Sequence, residues 1–363
     1  MISVAICGRP LTDLGYCDAA VTVTIEGIPV TVGLIGTTDP AFDPAAPDDR
    51  HCVLIRVRAF SCNYRDKGIL LGLWREYRER SYFFIGSEFV GEVVETGSEV
   101  KTLQKGDRVI ATRIPTNHAS QRYLVLPEAM LTKVPPQVPD EVAAAFTINA
   151  QTAYSMLRKA GLRQGANVLV TSARSNASLF AINALQKWEA NVYATTTAPG
   201  YEDRFRRMGV KELVQIDVAC ERFLDHERIA GIVSGTGGFD CVLDPYSDLH
   251  LGRVIETLAP YGRYVTCGFY DQYPAITGKA FQPPGADLSE ILQIAITQNI
   301  QITGNNLGEA EDLTAAIADY VSGSLRVVID SVFTAQHAGA FLDRTYNARD
   351  RFGKVVYQYP EAG

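Results

Sequence analysis

The chain changes rhythm once along its length. Over Val21–Val32 apolar and polar residues alternate with the period of two that half-buried strands show, and Val53–Val57 is another short strand-like run. Between them Gly36–Arg50 is rich in Asp and Pro, so the N-terminal part reads as strands joined by loops. From about Gly165 short apolar runs alternate with helical patterns, as parallel strands with crossover helices require. The pattern predicts strands at Asn167–Thr171, Val192–Thr195, Leu213–Ile216, Cys241–Leu243, Tyr264–Cys267 and Ile300–Thr303. Helices are predicted between them at Leu179–Lys187, Glu202–Met208, Glu221–Ile229, Leu251–Leu258 and Leu288–Thr297. Six such strands fit a doubly wound α/β sheet of the kind that binds dinucleotides. A helix near Leu313–Ser322 and strands at Val327–Val332 and Lys354–Tyr357 then return to β-rich character, which sends the last ~60 residues back to the first domain.

Length agrees with that division, because 363 residues exceed the ~250–300 at which a single core stops growing. With 47% apolar and 21% charged residues the composition is that of a soluble globular protein. A formal charge of −7 and no Lys/Arg block argue against nucleic-acid binding. No apolar run approaches the ~20 residues that cross a bilayer, and Met1–Pro10 lacks a basic segment followed by an apolar one, so no membrane is expected and the cytoplasm is the expected location. The seven cysteines are scattered with no C-x-x-C pair, which fits reduced thiols better than a disulfide framework or a structural zinc lobe. No histidine pair has metal-ligand spacing, and no G-x-S-x-G elbow or Walker loop supports a hydrolase or nucleotide triphosphatase.

The segment from Gly86-Ser87-Glu88-Phe89-Val90-Gly91 to Gly97, followed by Gly106-Asp107-Arg108-Val109, sets glycines where valine-rich strands turn or backbones approach closely. Taken with Asn63-Tyr64-Arg65-Asp66, Thr152-Ala153-Tyr154, Ala259-Pro260-Tyr261-Gly262-Arg263 and Phe352-Gly353-Lys354-Val355-Val356, it resembles the medium-chain dehydrogenase/reductase superfamily over residues ~50 to 358. Within it the chain looks like the quinone-reductase and enoyl-reductase branch. The resemblance implies a GroES-like β-rich catalytic domain over 1–146, a Rossmann dinucleotide-binding domain over 147–305 with a doubly wound parallel sheet, a return to the catalytic domain over 306–363, and a homodimer.

Two departures from the family pattern bear on chemistry. Zinc-dependent relatives place a Cys near the first motif and a Gly-His-Glu in the glycine ladder, whereas Ser87 here cannot replace an imidazole, so no metal is expected and Cys62 is read as a bystander. The family's glycine-rich loop is replaced by Thr171-Ser172-Ala173-Arg174-Ser175-Asn176-Ala177-Ser178, which contains no glycine. Its substitutes are small or tolerate a left-handed backbone. Asn176 can adopt positive φ, Ser178 is small enough for helix packing, and Ser172, Arg174 and Ser175 can donate to phosphate.

Where an NAD site ends its second strand in an acidic residue, this chain has Thr195-Thr196-Thr197, with Tyr201 and Arg204 just beyond, which favours NADPH. Thr196, Tyr201, Arg204, the turn Gly268-Phe269 and Lys354 complete the cofactor contacts expected from the resemblance. Without a Lewis acid, direct carbonyl chemistry is harder than conjugate hydride addition, whose enolate can be held by hydrogen bonds and protonated by a phenol. Tyr64 resembles the phenol near the nicotinamide in this branch, and Asn63 is positioned to hold a carboxamide or a substrate oxygen. Trp74, Tyr77 and Tyr82–Phe84, and Phe269, Tyr270, Tyr273 and Phe281, are candidate walls of an apolar cleft, and Trp74–Arg80 a candidate entry for an anionic substrate. The expected activity is NADPH-dependent reduction of an activated C=C bond in a small-molecule enone, quinone or enoyl thioester. The alternatives are a C=O or C=N reductase, and a non-catalytic protein that keeps the fold for binding or scaffolding.

Overall fold

The computed structural model describes residues 2–7, 17–77, 82–113, 118–272 and 281–360; the side chains of 17–19 and 74–77 lie outside that description. These residues form two compact units, one holding those up to Ile148 and from Val328 onward, the other those from Asn149 to Val327.

In the first unit β1 (Ile2–Cys7), β2 (Cys17–Ile25) and β3 (Ile28–Gly36) form an antiparallel sheet closed at its other edge by β5 (Tyr82–Phe83). Glu26 and Gly27 both have positive φ, 51° and 81°, the two-residue turn whose twist suits a hairpin. The long strand β4 (Cys52–Ser61) pairs with β6 (Glu88–Thr96) and β8 (Tyr123–Pro127), and β7 (Arg108–Ala111) and β9 (Leu131–Lys133) extend the second sheet. The glycine ladder lets β4 and β6 meet: a Cβ on Gly91 would lie 2.3 Å from Ile55 Cγ2 and 2.9 Å from the Arg56 carbonyl oxygen.

The second unit holds six parallel strands, β10 (Asn167–Val170), β11 (Asn191–Thr196), β12 (Val210–Gln215), β13 (Phe239–Asp244), β14 (Leu258–Thr266) and β15 (Gln301–Gly304). Their order, β12-β11-β10-β13-β14-β15, is that of a doubly wound dinucleotide-binding sheet, with the switch in direction between β10 and β13. Two helices differ from expectation. The stretch read as a helix over Glu221–Ile229 is a single 3-10 turn, Phe223–Asp225, followed by the helix Glu227–Thr236, because Arg253 holds the carbonyls of Val218 and Cys220, each at 2.6 Å, and Gly237 ends the helix with φ 78°. The helix expected at Leu251–Leu258 is Ser247–Val254, and Leu258 already opens β14. Beside the edge strand β15, with Ile302 exposed, the helix Leu288–Gln298 buries Ile291 and exposes Leu288, Leu292 and Ile296 on one face.

The chain returns to the first unit through β16 (Ile329–Thr334) and β17 (Lys354–Gln358), the latter antiparallel to β4. Phe60, Phe341, Tyr357 and Tyr359 stack there, with ring centroids 5.3–6.0 Å apart. Among the described residues no helix is long and apolar enough to cross a membrane.

Candidate active site

Asn63-Tyr64-Arg65-Asp66 is first of all a helix start. Asn63 precedes the helix Tyr64–Tyr77, and Asp66 in its first turn accepts the Asn63 N–H at 2.7 Å, half of a capping box. Strand register carries the Asn63 side chain elsewhere. β4 pairs Ser61 with Glu88 of β6 and with Val356 of β17, which brings Asn63, Glu88 and Lys354 to one place. Lys354 Nζ donates to Asn63 Oδ1 at 2.5 Å and to the Glu88 carboxylate. Asn63 Nδ2 donates to Glu88 Oε2 at 2.8 Å and to Ser87 Oγ at 3.3 Å, while Ser87 donates to Asp66 Oδ2 at 2.7 Å. The Ile148 N–H reaches Glu88 Oε1 at 2.6 Å. Glu88 and Lys354 are 0% and 1% exposed, so this is a buried ion pair with its remaining lone pairs satisfied.

Zinc does not fit this cluster. It has no imidazole, Ser87 and Asn63 offer only a hydroxyl and a carboxamide, and the Glu88 carboxylate is already taken by the Lys354 ammonium, which brings a positive charge of its own. Burial, then the neighbouring Asp66 carboxyl, push the Cys62 thiol well above its ordinary value. Among the described residues no three His, Cys, Asp or Glu side chains are grouped to hold a metal ion. Lys354, read from the sequence as a cofactor contact, is thus placed inside the first unit and bound to Glu88. Tyr64 follows Asn63 and opens the helix: Lys67, one turn along, donates to its hydroxyl at 3.4 Å, lies 4.4 Å from its ring centroid, and pairs with Glu26 at 2.6 Å. Trp74, Tyr77 and the rest of Trp74–Arg80, and Tyr273, lie outside the described residues or side chains.

The other expected contacts gather at the carboxyl ends of the parallel strands. Ser172, just after β10, takes the left-handed conformation with φ 44°, which supplies the tight turn a glycine would otherwise give. Ser175 caps the helix Asn176–Leu185 by accepting the Ser178 N–H at 3.2 Å, and its hydroxyl donates to Ser178 Oγ at 2.9 Å. Ser178 in turn donates to the Thr171 carbonyl at 2.9 Å, so Ser175 and Ser178 hold the loop's shape. The Ala173 N–H bonds the Thr195 carbonyl at 2.8 Å, tying this loop to the end of β11. There the Arg174 guanidinium lies 4.3 Å, and that of Arg204 5.8 Å, from the centroid of the Tyr201 ring. Thr196, at the end of β11, accepts the Ala198 N–H at 3.2 Å. Gly268, after β14, packs so that a Cβ would meet the Pro245 carbonyl oxygen at 2.8 Å, and Phe269 beside it is exposed. A nicotinamide dinucleotide fits these residues: the loop is small and turned, two guanidinium groups converge, and no carboxylate ends β11.

Sequence reasoning missed the partners beneath the loop. Asp244, at the end of β13 and 0% exposed, accepts Thr171 Oγ1 at 2.5 Å, the Tyr246 N–H at 3.0 Å, His250 Nδ1 at 2.7 Å and the Tyr264 hydroxyl. Burial acts to raise the Asp244 carboxyl, but His250 and these hydrogen bonds leave it below the ordinary value. His250 Nε2 lies 3.5 Å from Ser172 Oγ. Ser172 follows β10, Asp244 ends β13 and His250 sits on the helix Ser247–Val254; they share no motif, and the pairing of β10 with β13 brings Ser172 to the other two.

Comparisons with known proteins agree with this fold. Residues 49–136 match the alcohol dehydrogenase GroES-like domain family. The chain is 30% identical over 347 residues to the spectinabilin polyketide synthase system protein NorB of Streptomyces orinoci, covering 90% of this chain and 14% of that protein. It is 38% identical over 221 residues to the quinone oxidoreductase-like protein 2 homolog of Nematostella vectensis, covering 59% of this chain and 58% of that one. The chain therefore spans less than two thirds of these relatives' lengths. A solved NAD-dependent alcohol dehydrogenase superposes with a TM-score of 0.76 at 21% identity over 99% of both chains, a likeness of fold. A unit that carries the GroES-like match and a six-stranded sheet in dinucleotide-binding order give the chain the two-part architecture of the medium-chain dehydrogenase/reductase superfamily, and its sequence is similar to quinone oxidoreductase-like proteins.

Proposed function

We propose that the chain is an NADPH-dependent reductase of an activated C=C bond in a small enone, quinone or enoyl thioester, working without zinc. The observation that carries the reading is the Lys354–Glu88 pair in the cluster that holds Asn63 and Ser87. With an ammonium there, no Lewis acid polarises a substrate carbonyl, and conjugate addition is the hydride chemistry that asks least of the protein. The names of the relatives, a polyketide synthase protein and a quinone oxidoreductase-like protein, support the same substrate classes.

Ser172, Asn176 and the start of the helix Asn176–Leu185 would hold the pyrophosphate, with Ser175 and Ser178 keeping the loop's shape. Arg174 and Arg204 about Tyr201, with Thr196, would hold the 2′-phosphate, and Gly268-Phe269 would receive the nicotinamide half. When bound, the nicotinamide supplies the hydride. Tyr64 holds the proton, and the Lys67 ammonium at its hydroxyl stabilises charge that develops on the oxygen as the proton leaves.

NADPH should bind at least about tenfold more tightly than NADH, one charge-assisted contact being worth ~1.5–3 kcal/mol, and Arg204→Ala should narrow the gap. Nicotinamide fluorescence titration reads both constants; equal affinities in the wild type would remove the preference. A homodimer belongs to the same reading, because the open edge of β15 and the apolar face of Leu288, Leu292 and Ile296 suit a second copy of the same surface about a two-fold axis. Light scattering should give about twice the 39.7 kDa chain mass, and Ile296→Glu should shift the population to monomer. A monomeric wild type would sink the dimer. The scattered cysteines fit a cytoplasmic location.

A further inference from the structure

Of the loop's hydroxyls, Ser175 and Ser178 are engaged with each other and with Thr171, whereas Ser172 faces a titratable ring. We propose that His250 is a positioning residue of the dinucleotide-phosphate loop: it takes up a proton as the phosphate binds, and so turns the Ser172 hydroxyl from a donor to the ring into a donor to the phosphate. The proposal rests on the dinucleotide reading above and adds its proton coupling.

The geometry fixes the roles. Asp244 is buried, accepts hydroxyl protons from Thr171 and Tyr264 and an N–H from Tyr246, and lies 2.7 Å from His250 Nδ1. An acceptor there keeps the proton of the ring on Nδ1, so Nε2 is the atom that changes. In the neutral ring Nε2 is the acceptor for the Ser172 hydroxyl, whose Oγ lies 3.5 Å away, and the oxygen then turns lone pairs toward any anion in the loop. In the protonated ring Nε2–H donates to Ser172 Oγ, and the hydroxyl hydrogen is released to the phosphate. The proton comes from solvent, up to one per dinucleotide bound, and no other bond changes.

The backbone of Ser172 is held in its left-handed turn between Thr171, bonded to Asp244 and Ser178, and Ala173, bonded to Thr195. The hydroxyl can therefore rotate but not leave. The groups facing His250 are few. Asp244 and Tyr264 lie on neighbouring strands, Tyr246 lies at 6.4 Å between ring centroids and Phe223 at 6.2 Å, and the Arg253 guanidinium, on the same helix as His250, lies 5.7 Å from the Phe223 ring. Arg253 is engaged by the Val218 and Cys220 carbonyls. Burial, then Asp244, push Tyr264 well up and Cys267 to about 12, so both stay neutral and Asp244 is the anion that a protonated His250 meets.

The test is NADP⁺ binding to the whole chain from about pH 6 to about pH 8.5, with proton uptake read by calorimetry in two buffers of different ionisation enthalpy. The 2′-phosphate itself titrates near pH 6 and contributes equally to wild type and variants, so the difference between them is what counts. His250→Asn keeps a donor for Asp244 and removes Nε2; Ser172→Ala removes the hydroxyl and serves if the first variant does not fold. Over this range wild-type affinity should fall about tenfold further than that of either variant, and wild type should take up a larger fraction of a proton. Equal pH dependence and equal proton uptake, with binding intact, would overturn the proton coupling and leave the cofactor reading standing. Absence of NADP⁺ binding by wild type at every pH would overturn both.

Discussion

Lys354→Met should destabilise the first unit by about 3–5 kcal/mol. The methionine fills much of the lysine's volume, so packing changes little. What changes is that Glu88, 0% exposed, keeps its charge and loses its ammonium, while Asn63 Oδ1 loses its donor. Adding Glu88→Gln removes the stranded charge and should recover a large part of the loss, because a neutral amide can still meet the Ile148 N–H and the Asn63 carboxamide. Chemical unfolding of the two variants and the wild type measures the difference. A midpoint shift equivalent to less than about 1 kcal/mol for Lys354→Met would mean that the pair holds nothing together.

Tyr64→Phe should lower turnover on an accepted enone by at least about tenfold, with NADPH affinity nearly unchanged. Phenylalanine keeps the ring under the Lys67 ammonium, 4.4 Å from its centroid, and deletes only the hydroxyl to which Lys67 donates. General acid catalysis typically contributes ~10²–10⁴-fold, and water can replace part of it, which sets the lower bound. A companion change, Lys67→Met, removes the ammonium and leaves the phenol; it should lower turnover by less and leave cofactor affinity alone. Steady-state rates paired with a cofactor titration check both. Turnover of Tyr64→Phe within about twofold of wild type would remove the phenol from the mechanism.

Much of the fold was legible because the parallel strands are covered on both faces and read as short apolar runs, as in Val168–Val170 and Val242–Leu243. The helix boundaries that slipped did so where side chains decide: Arg253 holding two carbonyls keeps 217–222 out of a helix, which no local propensity records. Of the candidate site, the Arg174–Tyr201–Arg204 stack could be reached from sequence because strand ends collect at one edge of such a sheet. The Glu88–Lys354 pair and the approach of Ser172 to His250 could not, since strand register joins residues 266 and 78 positions apart in the chain. Lys67 was within reach, three residues after Tyr64 on a helix that Asn63 and Asp66 begin.

The most direct test of the central claim is to supply NADPH carrying deuterium at the transferred position of its nicotinamide, offer an unsaturated ketone, and locate the label in the product. Conjugate reduction predicts a saturated ketone with deuterium on the β-carbon and a solvent proton on the α-carbon. Deuterium on a carbinol carbon would make the chain a carbonyl reductase, and no NADPH consumption with any activated alkene would contradict the reductase assignment itself.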